Sequence, residues 1–213
     1  ADGRPCGKEK GGVTMDERLE QAGEWEEEYF DRISLEEDCL EDQVFRECEF
    51  HNCQFLSSKI RRCLFRSCTF QNCVFAGVEW EFTSMVDGMF KDSICVGINW
   101  SLLKTKTRGN EPVYEAQNTF FKYCSFYQMG LKRFHFETCR FQESYFEECS
   151  MQECHMENIS FDKTQFRGCD LRKADFRGAV GYVIDPQQNK LREARFSFPE
   201  VICLLDGLGI SIE

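Results

Sequence analysis

Fourteen cysteines and three histidines are the side chains of this sequence with most capacity for nucleophilic, redox or metal chemistry. Zinc and thiol-redox sites are written in sequence as close Cys-x-x-Cys steps. Here the cysteines recur at intervals of five and multiples of five instead: Cys48, Cys53, Cys63, Cys68, Cys73, Cys124, Cys139, Cys149, Cys154 and Cys169. Such a cysteine acts as a small buried hydrophobe, and reduced packing thiols point to a cytoplasmic location. His51, His135 and His155 stand beside no plausible nucleophile, and zinc-protease, phosphate-loop and dinucleotide-glycine motifs are absent. His135 and His155 are 20 apart, with Glu137 and Glu157 beside them. Brought together, these four make either a weak zinc patch or a surface ladder of paired side chains. A Cys149–Cys169 disulfide is conceivable at the same spacing but unneeded. The expectation is a non-enzymatic chain with no catalytic residue, no metal and no cofactor.

The elements that position these residues follow from a second periodicity. Every fifth residue across 45–75 is large and apolar: Phe45, Phe50, Phe55, Ile60, Phe65, Phe70 and Phe75. Two places before most of them stands a Cys or Ser. Five matches neither the helical period of 3.6 nor the strand period of 2. Within one pentad, though, the small and large residues are two apart, so both point inward from a short strand. If the chain then turns, the next pentad restarts the alternation on a new side. Four sides close a square coil of 20 residues, and stacked coils form a β-solenoid with residues 20 apart separated by about 4.8 Å. The count of 21 Phe against 3 Trp and 6 Tyr suits columns of one ring type. The expected core stack continues through Trp80 and Phe90, then Phe121, Phe126, Phe136, Phe141, Phe146, Phe161, Phe166, Leu171 and Phe176.

The pattern resembles the pentapeptide-repeat family, written A(D/N)LXX, with the large residue central and a small one two before it. Cys-x-Phe stands here for Ala-Asp-Leu, and the plainer form returns at Cys169-Asp170-Leu171 and Ala174-Asp175-Phe176. The resemblance covers roughly three-quarters of the chain and implies an all-β, right-handed quadrilateral β-helix, often a homodimer joined through its C-terminal end. The Phe-rich pentads, a GINW turn before an irregular segment, and an ending similar to RFSxPExxxLLxxLGI resemble the Qnr-type, microcin-resistance and albicidin-resistance members. That likeness implies DNA gyrase or topoisomerase IV as a protein partner. A rod of duplex-like width would engage the enzyme and protect it from inhibitors such as quinolones or peptide toxins. The other class open to such a repeat is a rigid interaction scaffold unrelated to gyrase.

Net charge is −11, and residues 1–42 carry 15 acids against 5 bases, whereas 43–213 carry 22 against 21. The acidity belongs to the N-terminal segment. Along the second half, Glu153 falls between Lys132, Arg133 and Arg172, Lys173, a patchwork rather than an acidic or basic stripe. No direct nucleic-acid contact is expected, and no apolar run has the length of a membrane helix.

These signals divide the chain. Residues 1–14 read as a leader or unfolded segment, and 15–29 as an N-terminal cap anchored by Leu19, Trp25 and Tyr29. Residues 30–100 form the first repeat block, and 101–119 a loop or distorted coil, since Phe121 follows Trp100 by 21 rather than 20. In that loop Lys104, Lys106, Arg108, Asn110 and Glu111 are the candidate partner-binding residues. Residues 120–196 form the second block, interrupted near 181–188. Residues 197–213 supply a C-terminal helix from Pro199 through Val201, Ile202, Leu204 and Leu205, then a short strand through Leu208, Ile210 and Ile212. These eight are the expected dimer interface.

Overall fold

The computed structural model describes residues 17–103 and 111–208. Strands of about three residues follow one another every five positions, each parallel to the strand one coil away. Phe50 lies opposite Phe30 and Phe70, and Phe70 opposite Phe90. Four sides result. Face 1 begins with Gly23–Glu26, Gln43–Arg46, Leu64–Arg66 and Ser84–Val86. Face 2 holds Tyr29–Asp31, Glu49–His51, Thr69–Gln71 and Gly88–Lys91. Face 3 holds Ser34–Glu36, Gln54–Leu56, Val74–Ala76 and Ile94–Val96, and face 4 Cys39–Glu41, Lys59–Arg61 and Glu79–Glu81. The whole is a quadrilateral β-solenoid of about eight turns, with coil 1 starting at Gly23.

Rings of Phe fill the axis. Phe70 stacks between Phe50 and Phe90 at centroid distances of 5.0 and 5.1 Å and meets Phe75 edge-on at 5.2 Å. In the later coils Phe126, Phe146 and Phe166 form a similar column at 4.5 and 4.9 Å. Phe45, Phe55, Ile60, Phe65, Phe75, Phe121, Phe136, Phe141, Phe161, Leu171 and Phe176 are buried, while Trp80 is only half-buried. The residue two places after most centres takes a left-handed conformation, from φ 45° at Asn118 to 63° at Glu193 among the non-glycine residues, with Asn, Asp, Glu, Ser, Lys and Arg all represented. That backbone is costly for a residue with a Cβ. Its N–H is repaid by a hydrogen bond to the next coil, as in Asn52 to the Gln71 carbonyl at 3.0 Å and Asn72 to the Lys91 carbonyl at 2.9 Å.

Many of the small slots also carry a hydrogen-bond donor. Cys73 Sγ donates to the carbonyls of Phe50 and Gln71 at 3.3 and 3.4 Å, and Cys149 Sγ to those of Phe126 and Glu147 at 3.2 and 3.5 Å. Thr83 and Ser93 occupy the same slot and donate to Ile60 and Phe70 carbonyls at 2.9 and 3.1 Å. At these positions the slot residue carries a donor, so the thiols are more than small hydrophobes, although Ile33, Val78, Ile98 and Ile159 fill equivalent slots without one. Every cysteine of the described residues is a free thiol.

Three boundaries differ from the sequence reading. The repeat starts one pentad earlier than Phe30, because Gly23–Glu26 pairs with Gln43–Arg46 and sets Trp25 opposite Phe45. The cap shrinks to the turn Glu17–Glu20, with Leu19 buried. Buried Gln43 pins it, donating to the Leu19 and Gln21 carbonyls at 3.2 and 2.7 Å and accepting from Trp25 Nε1 at 2.8 Å. At the centre of the rod, Phe90 lies opposite Ala116 and Cys95 opposite Phe121, so this coil spans 26 residues, not 21. The strand Val113–Gln117 already belongs to face 2, so these residues of 101–119 are regular coil rather than loop. Near 181–188 the expected interruption is a slip in register within a continuing coil, Ser160 lying opposite Val180 but Thr164 opposite Tyr182. Val180–Ile184 pairs with Ser160–Arg167, with Tyr182 and Ile184 buried. The C-terminal helix is the 3₁₀ segment Glu200–Leu208. The leader at 1–14 and the strand positions Ile210 and Ile212 lie outside the described residues.

Candidate functional site

The straight rod has one large irregularity, at the corner where face 4 of coil 4 hands over to face 1 of coil 5. The 3₁₀ turn Trp100–Leu103 replaces a strand there, with Asn99 Oδ1 accepting from the Ser101 N–H and hydroxyl at 3.1 and 2.6 Å. Trp100 and Leu103 are buried, and the indole stacks on Phe126 at 6.1 Å, so the exit of the insertion is anchored in the core. Re-entry is pinned too, with Asp87 and Gly88 N–H groups donating to the Glu111 and Pro112 carbonyls at 3.0 and 2.9 Å. Gly88 permits that approach, since a Cβ there would lie 2.8 Å from the Pro112 carbonyl oxygen. Lys104, Lys106, Arg108 and Asn110 lie outside the described residues, whereas Glu111 is half-buried at the foot of the insertion.

Beside the re-entry point a groove of about 400 Å³ runs between Asp87, Glu111 and Tyr114 on one side and Lys132, Arg133 and His135 on the other. Gly130 forms part of its wall, where a Cβ would come within 2.9 Å of Glu111 Oε1. Its charges are mixed. Arg133 holds Glu153 of the next coil at 3.0 Å, and that hydrogen bond keeps the Glu153 carboxyl below its ordinary range. His135 and His155 lie 5.4 Å apart, and His155 Nδ1 is 3.4 Å from Glu157. Among the described residues no cluster of three or more His, Cys, Asp or Glu is placed to hold a metal. The thiols are equally unsuited to nucleophilic work. Burial pushes Cys63, Cys68, Cys124 and Cys139 up to about 12.

Sequence reasoning missed the exposed apolar residues around this corner. Phe82 is 89% exposed in a left-handed corner position and Leu102, one coil on, is 59% exposed; Tyr114 beside the groove is 65% exposed. A signal existed, because a large apolar ring stands at 82 where most other corners carry polar residues or Gly. The left-handed backbone and the exposed ring both cost free energy.

Elsewhere the surface charges pair one coil apart. Arg62 holds Asp42 at 2.6 Å, Lys59 holds Glu79 at 3.1 Å and Lys173 approaches Glu193 at 3.9 Å. Such ladders leave no continuous acidic stripe; excess acid is confined to coil 1. At the C-terminal end, Leu204 packs on the core, Val201 and Leu205 are half-buried, and Ile202 is 37% exposed. Pro199 precedes the helix in a cis peptide bond, and Leu208 closes it. No described helix is long and apolar enough to cross a membrane.

A parallel square coil with one small donor and one large ring in each five-residue side defines a repeat solenoid, a class built for rigid presentation of side chains. Residues 139–178 match the family model for pentapeptide repeats in eight copies, and the same coil runs through the other described residues. Residues 139–178 are thus similar to pentapeptide repeats. A second model, that of the SV2A/B/C luminal domain, matches residues 12–105. Among solved structures, a trypsin-treated form of QnrB1, described as a plasmid-mediated fluoroquinolone resistance protein, is similar at 15% identity and a TM-score of 0.46. The match covers 95% of this chain and 100% of that one. HetL of the cyanobacterium Nostoc sp. strain PCC 7120, involved in regulating heterocyst differentiation, is similar at 10% identity and a TM-score of 0.37, covering 80% and 85%. No curated protein matches the chain.

Proposed function

We propose that this rod is a non-enzymatic scaffold that grips a protein partner at the insertion between coils 4 and 5. The partner we propose is DNA gyrase or topoisomerase IV, whose response to quinolones or peptide toxins it modulates. The observation that carries the reading is the anchored insertion itself. Trp100 and Leu103 hold its base in the core while Phe82, Leu102 and Tyr114 expose apolar surface beside it. Sequence resemblance to the quinolone-, microcin- and albicidin-resistance members supplies the choice of enzyme. The paired surface charges favour contact through the insertion over imitation of DNA by charge alone. Homodimerisation through the exposed side of Glu200–Leu208, and a reducing cytoplasmic setting for the free thiols, complete the proposal.

Binding of the purified chain to separate gyrase and topoisomerase IV subunits tests it. Saturable binding that weakens on Phe82→Ser or Leu102→Ser is expected. Absence of binding to either enzyme would leave the second reading, a scaffold for an unrelated protein, which the paired charges and rigid faces equally suit.

A further inference from the structure

Face 3 differs from its neighbours in what it shows to solvent. Across coils 2, 3 and 4 its outward and corner positions, 54, 56, 57, 74, 76, 77, 94, 96 and 97, carry no charge at all, in a chain that is 30% charged. Leu56, Val74, Ala76, Ile94 and Val96 form its surface in uninterrupted register, Val74 between Gln54 and Ile94, and Ala76 between Leu56 and Val96. The ladder continues without a break to Phe120–Lys122 and Arg140–Gln142. Apart from Glu143 at the coil 6 corner, charges return at the two ends with opposite sign. Coil 1 presents Glu36 and Glu37, while Lys122 and Arg140 stand on coils 5 and 6. Unlike the charges of the ladders, none of these four has an ion-pair partner among the described residues; Lys122 and Arg140 lie over the rings of Tyr123 and Phe120.

We propose that face 3 is a lateral, self-complementary contact between two antiparallel copies of this chain. A two-fold axis through coil 3 sets Ala76 near its own counterpart and coil 2 of one copy against coil 4 of the other, apolar on apolar. The same operation sets Glu36 and Glu37 opposite Lys122 of the partner copy, twice over, as a closed isologous contact requires. A parallel arrangement would oppose Glu36 to Glu36, so the charges select the antiparallel one. Five coils at about 4.8 Å and a side about 10 Å wide give roughly 200–250 Å² of flat face per copy, small beside the roughly 800 Å² of a stable interface. The contact is therefore weak and salt-sensitive, and distinct from both the insertion and the C-terminal helix.

Sedimentation equilibrium from about 10 μM to about 1 mM, in an Ile202→Glu background that removes the proposed end-to-end contact, reads it directly. Reversible dimerisation is expected, lost on Ala76→Glu with circular dichroism unchanged. Lys122→Glu is expected to weaken it about tenfold, and adding Glu36→Lys and Glu37→Lys to that variant to restore it. Monomer throughout the range, dimerisation indifferent to Ala76→Glu, or failure of the charge swap to restore association overturns the proposal.

Discussion

Raising the pH beyond the range of an ordinary thiol is expected to unfold this rod steeply, because burial keeps four of its slot cysteines protonated. Cys63, Cys68, Cys124 and Cys139 are each pushed up to about 12 from 9.0, chiefly by desolvation. Below pH 9 these thiols are protonated in both states and their contribution to stability is fully present. Between about 9 and 12 only the unfolded chain ionises, so that contribution is lost as the pH rises through the window. At pH 10 the unfolded state gains about 1.4 kcal/mol per thiol relative to neutral pH, or about 6 kcal/mol for the four. The total stability of an ordinary domain is about 5–15 kcal/mol. Urea melts followed by far-ultraviolet circular dichroism between about pH 7.5 and 10.5, with thiolate absorbance recorded in parallel, measure the loss. A steep rise in thiolate absorbance is expected to accompany loss of the strand signal. Cys124→Ser keeps a donor in the slot, as Ser144 does one coil on, and removes one titrating group. Its stability is expected to fall by about 1.4 kcal/mol less than that of the parent over the same interval. Superimposable profiles for parent and variant would refute the reasoning.

Phe70→Ala, emptying a site between two stacked rings, is expected to cost about 3–5 kcal/mol in urea denaturation, and a loss under about 1 kcal/mol would contradict continuous ring packing. Gly178 has φ +70° and a Cβ there would sit 2.2 Å from Asn158 Oδ1. Gly178→Ala is expected to lower stability by about 1–2 kcal/mol, and Asn158→Ala in that background to recover part of it. On the acid side, the Arg172 hydrogen bond lowers the Asp170 carboxyl to about 2 from 3.8, so its contribution is present above 3.8 and lost as pH falls through 2. Because Arg172 is half exposed the loss is about 0.5–1 kcal/mol, and Asp170→Asn is expected to flatten that limb of the acid melt.

The tube itself was legible because its rule is written in every pentad, one large inward residue and one small residue two before it. What remained hidden has physical reasons. Corner residues such as Glu47, Asn52 and Arg62 have nothing in common as side chains; their left-handed backbone is fixed by hydrogen bonds to the next coil. Trp25 was read as a cap anchor because its pentad has Gly23, not Cys or Ser, in the small slot. The strand at Val113–Gln117 was masked because its centre is Ala116; the Trp100 indole, 5.1 Å from Phe90, supplies ring volume on the axis there. A slip of six residues counts as a slip of one when the repeat is five, so spacing alone underestimated the insertion. The apolar corner at Phe82 and Leu102 showed only once residues 20 apart were neighbours in space.

The most direct test is a supercoiling assay with purified gyrase and a quinolone, comparing the full chain with one lacking residues 104–110. The proposed function predicts relief of drug inhibition by the full chain and loss of that relief in the deletion, with the circular dichroism of the rod retained. Relief that survives the deletion, or no relief with the full chain well above the enzyme concentration, would contradict it.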